Sequence, residues 1–181
     1  MKIAPSKRLS YRLMTRADAH ELFELDNDPA VMKYLNGGKP HSMEDIVDKW
    51  IPRMESYLAP DKGWGIWRVA RLDDNTFIGW ILIRPMDFFT DTPKLNDLEI
   101  GWRFKQASWG KGFATEAAVH VAESIKQHSS NITHFSAIAD KENGGSIAIM
   151  KKMGMSFVKE ELNEDPAFSS VDVVYYTIAI N

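Results

Sequence analysis

Residues 98–126 read LEIGWRFKQASWGKGFATEAAVHVAESIK, and the change of period inside this stretch decides the fold. Leu98, Ile100, Trp102 and Phe104 alternate with Glu99, Gly101 and Arg103, which is the two-residue period of a strand. Ala114, Ala117, Ala118, Val121, Ala122 and Ile125 then recur at three- and four-residue spacing, one narrow face of a helix. Between them lies Trp109-Gly110-Lys111-Gly112-Phe113-Ala114. Glycines directly before a helix let the backbone approach a ligand closely, and the helix start offers unpaired N–H groups and a positive dipole end. Such a turn is suited to holding phosphate.

On the C-terminal side, Thr133–Asp140 reads as a further strand and Asn143–Met153 as a short helix ended by Gly154. Phe157–Leu162 and Val171–Ile180 read as closing strands, joined by a polar hairpin loop over Asn163–Ser170. On the N-terminal side, Trp64–Arg71 and Phe77–Arg84 are rich in aromatic and β-branched residues, with turn chemistry at Asp73-Asp74-Asn75 between them. They predict an antiparallel hairpin. Met86–Asp97, flanked and interrupted by Pro85 and Pro93, reads as a loop.

The chain begins with an expected strand over Arg8–Leu13, then a helix near Arg16 capped by Thr15 and stopped before Asp28-Pro29. Val31–Leu35 predicts another helical turn, ended by Gly37-Gly38. Ser42 with Asp45 resembles an acidic capping box and opens a helix through about Tyr57, with a kink or break at Pro52. This order predicts an α/β (α+β) single domain over 1–181. Its central sheet is mixed but mostly antiparallel, with helices on both faces.

Composition removes several function classes. Net charge is −3, from 22 basic and 25 acidic residues, so no bulk attraction draws the chain to nucleic acid. Cysteine is absent, which excludes disulfides, thiolate catalysis and cysteine-ligated zinc. The five histidines show no metal-ligand spacing, and no metal site is expected. The opening MKIAPSKRLSYRL lacks the apolar core of a signal peptide, and no apolar run is long enough to cross a bilayer. The expected setting is cytoplasmic, without a membrane partner.

The run EIGWRFKQASWGKGFATEA resembles motif A of the GNAT superfamily of N-acetyltransferases, and most of all its RimJ/RimL-like branch. KRLSYRLMTRADAHELFELDNDPAVMKYL is similar to that branch's first strand and helices. IGWILIR resembles its third strand, and ENGGSIAIMKKMGMSFV its Asn-x-x-Ser helix. The resemblance implies the GNAT-like acyl-CoA N-acyltransferase fold and acetyl-CoA as cofactor. It places Trp109, Gly112 and Ala114 at the three marked positions of the pyrophosphate loop, with tryptophan departing from the usual Gln/Arg. Backbone amides from Gly110 through Lys111, Gly112 and Phe113 to Ala114 are then expected to face the pyrophosphate, and a side chain on Gly112 to obstruct it. Lys111 reads either as a charge near the phosphates or as a solvated lysine. An oxyanion donor is expected from a strand amide among Ile100, Gly101 and Trp102.

Direct transfer to an amine needs a proton acceptor and help for the leaving thiolate. Glu99 is the candidate base; alternatively it pairs with Arg103 or a lysine. Ser146 is the candidate to assist the thiolate, or else it only caps the helix start. Asn143 has compatible readings as helix cap and as a hydrogen-bond partner of the pantetheine arm. Many superfamily members use a tyrosine in this helix, and none stands between Asn143 and Met153. Tyr175 and Tyr176 are candidates for the acceptor side, one of the pair being expected in the core. Trp64, Trp67 and Trp80 read as core.

The expected acceptor is a primary amine, a peptide or protein N-terminus first and a small molecule (polyamine, amino acid or antibiotic) second. A non-catalytic acyl-CoA-binding module is the alternative of a different class. The chain is expected to act as a monomer or homodimer.

Overall fold

The computed structural model describes residues 1–163 and 171–180. The predicted loop over Asn163–Ser170 falls outside the described residues from position 164 onward. Among the described residues seven strands form one sheet in the order β1-β2-β3-β4-β5-β7-β6: β1 (Leu9–Leu13), β2 (Gly65–Arg71), β3 (Phe77–Met86), β4 (Lys94–Phe104), β5 (His134–Asp140), β6 (Ser156–Leu162) and β7 (Asp172–Ala179). The strand pairs are antiparallel except β4 with β5, which are parallel. That parallel pair requires a crossover, which α5 (Phe113–His128) supplies.

One correction concerns where β4 begins. Met86–Asp97 is not all loop: β3 runs through Met86 and β4 starts at Lys94, with Met86 opposite Lys94 after a bulge at Pro85. Lys94-Leu95-Asn96 are exposed and carry no strand period, so only the pairing makes them strand. Proline lacks the ladder donor, which accounts for a bulge at Pro85.

The sheet separates two cores. On one face α5 buries Ala117, Ala118, Val121, Ala122 and Ile125 against Leu98, Ile100, Phe104 and Phe135, joined by Met150 of α6 (Gly144–Lys152). Alanines at three of those positions let the helix axis approach the strands closely. On the other face lie α1 (Ala19–Asp26), α2 (Pro29–Asn36), α3 (Met43–Asp45) and α4 (Ile51–Ser56). They bury Leu22, Leu25, Val31, Ile51 and Met54 against Ile66, Phe77, Trp80 and Leu82. Trp67 and Trp80 are core, as expected.

The caps follow the sequence. Thr15 and Ser42 both close capping boxes with Asp18 and Asp45. The expected break near Pro52 takes a specific form: Ile46–Trp50 is π-helical, and the Ile51 amide bonds the Ile46 carbonyl five residues back. The wider turn accommodates a proline ring that would clash with the carbonyl four residues earlier. Gly154, at φ 80°, follows α6 as the left-handed terminator.

Candidate active site

The site is built where β4 hands over to α5. After Phe104 the chain makes a short 3-10 turn, Gln106–Ser108, and the Trp109 indole Nε1 donates back to the Phe104 carbonyl at 2.8 Å. Gly110 and Gly112 then adopt φ of 72° and 77°, a left-handed conformation that costs any other common residue about 1–2 kcal/mol. Gly112 caps α5 without a side chain, and its carbonyl accepts the first helical bond, from the Glu116 amide. The amides of Gly110, Lys111, Gly112, Phe113, Ala114 and Thr115 therefore have no hydrogen-bond partner among the described residues.

That row of free donors, on the positive end of a 16-residue helix, fits a pyrophosphate. A Cβ on Gly112 would meet only Arg8 Nη2 at 3.6 Å, and one on Gly110 would meet nothing within 4 Å. Against the protein's own atoms, it is backbone conformation that reserves both positions for glycine.

Beside the loop sits a residue that spacing did not point to. Arg8, at the entrance to β1, donates Nε to Glu116 at 2.6 Å and Nη1 to the Lys111 carbonyl at 3.0 Å, and lies over the Phe113 ring. The Lys111 side chain has no partner among the described residues.

Next to the loop the sheet opens. β4 and β5 are in register at only three positions, ending at Glu99 opposite Ser136. Beyond them β4 stays paired to β3 and β5 to β7, so Ile100, Gly101 and Trp102 have no strand partner on the β5 side. This notch leaves strand amides available for an acyl carbonyl. Ile100 is buried, so only its backbone borders the notch. The helix that follows β5 closes the notch: Asn143 Oδ1 caps the Ser146 amide at 3.0 Å, and the Trp102 indole Nε1 donates to Ser146 Oγ at 3.2 Å. Asn143 thus caps the helix and keeps its amide nitrogen free to donate, while the Ser146 hydroxyl retains its proton.

On the opposite face of β4 stand Glu99, Gly101 and Arg103. Glu99 pairs with neither Arg103 nor a lysine: its partner is Arg84 across the β3–β4 register, Nε to Oε2 at 2.7 Å, both side chains largely buried. Arg103 instead pairs with Asp26, which His41 also contacts at 3.1 Å. Burial alone would raise the Asp26 carboxyl, but the Arg103 charge and the His41 and Arg103 hydrogen bonds outweigh it and hold it below the usual range. Tyr57 and Phe88 meet edge to face beside Arg84. Burial pushes the Tyr57 hydroxyl up to about 12, so it stays protonated at neutral pH.

Of the two adjacent tyrosines, Tyr176 is in the core and Tyr175 is half-buried on the other face. Burial, a bond to Glu161 and the charges of Glu161, Asp87 and Glu99 push the Tyr175 hydroxyl above the usual phenol range. Among the described residues no group of three or more His, Asp or Glu is arranged to hold a metal ion, and no helix is long and apolar enough to cross a membrane.

A split parallel strand pair thus lies beside a glycine-turned helix start with free amides, a cradle suited to a phosphate next to strand amides without a β5 partner. Residues 8–156 match the acetyltransferase (GNAT) domain family, and the chain belongs to it. Over 158 residues it is 31% identical to the uncharacterised protein YkkB of Bacillus subtilis, covering 84% of each chain. A structure of RimL, a ribosomal-protein α-N-acetyltransferase with coenzyme A, superposes with a TM-score of 0.76 at 15% identity, covering 99% of this chain and 98% of that one. An aminoglycoside acetyltransferase with coenzyme A superposes with a TM-score of 0.73 at 15% identity, covering 94% of each. The mixed, mostly antiparallel sheet with helices on both faces is the fold of these neighbours. The protein is therefore an acetyl-CoA-dependent N-acetyltransferase, and its acceptor is an amine.

Proposed function

We propose that the acceptor is a peptide or protein N-terminal α-amine, acetylated by direct attack while both substrates are bound. The observation that carries the reaction is the continuity of the notch: free amides at Gly110–Thr115, β4 backbone at Ile100–Trp102 with no partner on its β5 side, and Glu99 one residue earlier on the same strand. Acetyl-CoA supplies an activated acetyl group when bound.

The amides of Gly110 to Ala114 hold its pyrophosphate, and Asn143 Nδ2 donates to the pantetheine arm. A strand amide in Ile100–Trp102 receives the charge that develops on the carbonyl oxygen. Glu99, held in place by Arg84, takes the proton of the acceptor ammonium directly or through water. The Ser146 hydroxyl donates to the departing thiolate. With a free thiol pKa of about 8.5, that group needs only modest assistance.

The α-amine reading leans on the likeness to RimL in fold and in the sequence motifs of the RimJ/RimL-like branch. A small-molecule amine is the competing outcome. The deciding experiment measures kcat/KM for N-terminal peptides against polyamines, amino acids and an aminoglycoside. Peptides ahead of every small amine support the reading; a small amine ahead of every peptide replaces it.

A further inference from the structure

Glu116 poses an electrostatic problem. It lies in the first turn of α5, four residues after Gly112, where a carboxylate favours the helix but repels any anion bound at the same N-terminus. The structure surrounds that carboxylate with donors. Oε1 accepts from the Ser6 hydroxyl at 2.8 Å and the Arg8 amide at 2.9 Å, and Oε2 accepts from Arg8 Nε at 2.6 Å. Burial raises the Glu116 carboxyl, but these hydrogen bonds prevail and hold it below its ordinary value, so it is ionised at neutral pH.

The Arg8 guanidinium does three things at once. Nε neutralises Glu116, Nη1 fixes the Lys111 carbonyl at 3.0 Å, and the plane covers the Phe113 ring with Cζ 4.4 Å from its centroid. Holding the Lys111 carbonyl turns the following peptide so that its N–H faces away from Arg8. The remaining Nη2 has no partner among the described residues and lies 3.6 Å from where a Gly112 Cβ would stand. With 41% of the side chain exposed, the guanidinium borders solvent at the rim of the free-amide row.

Resting on the acetyl-CoA reading of the loop, we propose that Arg8 is a positioning residue of the phosphate site. It masks Glu116, sets the Lys111–Gly112 peptide, and offers Nη2 to a phosphate oxygen of the coenzyme. It therefore acts on the phosphate end of the donor and has no part in the chemistry at the thioester.

The test compares two acetyl donors, acetyl-CoA and S-acetylpantetheine, which carries the thioester but no phosphate. Arg8→Ala should raise KM for acetyl-CoA about tenfold or more, the scale of a lost charge-assisted hydrogen bond, with kcat within about twofold. Its kcat/KM for S-acetylpantetheine should match the wild type. Glu116→Gln in the Arg8→Ala background should recover part of the lost acetyl-CoA KM, because it removes the unmasked carboxylate. Arg8→Lys keeps the charge and should fall between, which keeps the test valid if Arg8→Ala folds poorly.

Equal losses with both donors, or no recovery from Glu116→Gln, would mean that Arg8 only ties β1 to α5 and would overturn the proposal. A wild-type protein that releases no thiol from acetyl-CoA would defeat the reading of the loop itself, a separate result visible before any variant is made.

Discussion

The Trp102 indole Nε1 donates to Ser146 Oγ across 3.2 Å, joining β4 to the first turn of α6 over the notch between β4 and β5. The bond occupies one lone pair of the serine and leaves its O–H proton pointing elsewhere. In a site without a tyrosine on this helix, that hydroxyl is the donor we propose for a leaving thiolate. Ser146→Ala should lower kcat about tenfold while acetyl-CoA KM changes less than about twofold, a smaller loss than for an oxyanion donor because the thiolate is already a good leaving group. Trp102→Phe, which frees the serine to rotate, should cause a smaller loss. Steady-state kinetics at saturating amine checks both, and an unaltered kcat in Ser146→Ala removes the serine from the reaction.

Glu99 is held by Arg84 Nε at 2.7 Å, and we propose it as the base. Glu99→Gln should reduce kcat by about a hundredfold or more, the usual contribution of a positioned base, with acetyl-CoA affinity nearly unchanged. Calorimetric titration with coenzyme A and initial-rate measurement separate the two effects. Turnover equal to the wild type would leave water alone as the proton acceptor.

Gly112 has room for a methyl group but the wrong backbone conformation for one, at φ 77°. Gly112→Ala should relax the loop and misdirect its amides, weakening coenzyme A about 5- to 30-fold for about 1–2 kcal/mol of strain. The same change at Gly37, which follows α2 on the sheet face opposite α5, at φ 74° and with nothing within 4 Å of its Cβ, should leave coenzyme A affinity unaltered. Equal losses at both sites would contradict the assignment of phosphate binding to the Gly110–Thr115 amides.

Asp26, at the end of α1, is tied to β4 through Arg103 and to the segment before α3 through His41. Its folded carboxyl lies below the unfolded value near 3.8, so its stabilisation is complete above that value and is lost as pH falls through the lower folded one. Asp26→Asn should destabilise the protein at pH 7 by about 3–5 kcal/mol, since Arg103 is left buried without its counter-charge. Denaturant unfolding at pH 7 and pH 3 checks this: the gap between wild type and variant should narrow at the lower pH. A gap independent of pH would assign the loss to packing.

The elements that were legible in the sequence are those with local causes. Gly110 and Gly112 announce a turn because the requirement for positive φ is written at single positions, and the alanine face of α5 announces its own packing. Asn143, Ser146 and Glu99 were visible as residue types in motif, and the structure supplies their partners.

The remainder depends on register between distant segments. Glu99 meets Arg84 because β3 and β4 align them, and nothing near either residue specifies the pairing. Arg8 reaches Glu116 across 108 residues of chain, so no spacing rule leads from one to the other. β4 begins at Lys94 because β3 is there to pair with it, although Leu95 and Asn96 are exposed. Pro52 signalled a disturbance, but its resolution as a π turn upstream was set by the carbonyl it had to avoid.

The most direct measurement follows free thiol released from acetyl-CoA by the wild-type protein across N-terminal peptides and small amines, with mass spectrometry of the acceptor. Amine-dependent thiol release with acetyl on a peptide α-amine, lost in Glu99→Gln and shifted to higher acetyl-CoA concentration in Gly112→Ala, is the predicted result. Coenzyme A binding without thiol release above background for any amine would contradict it.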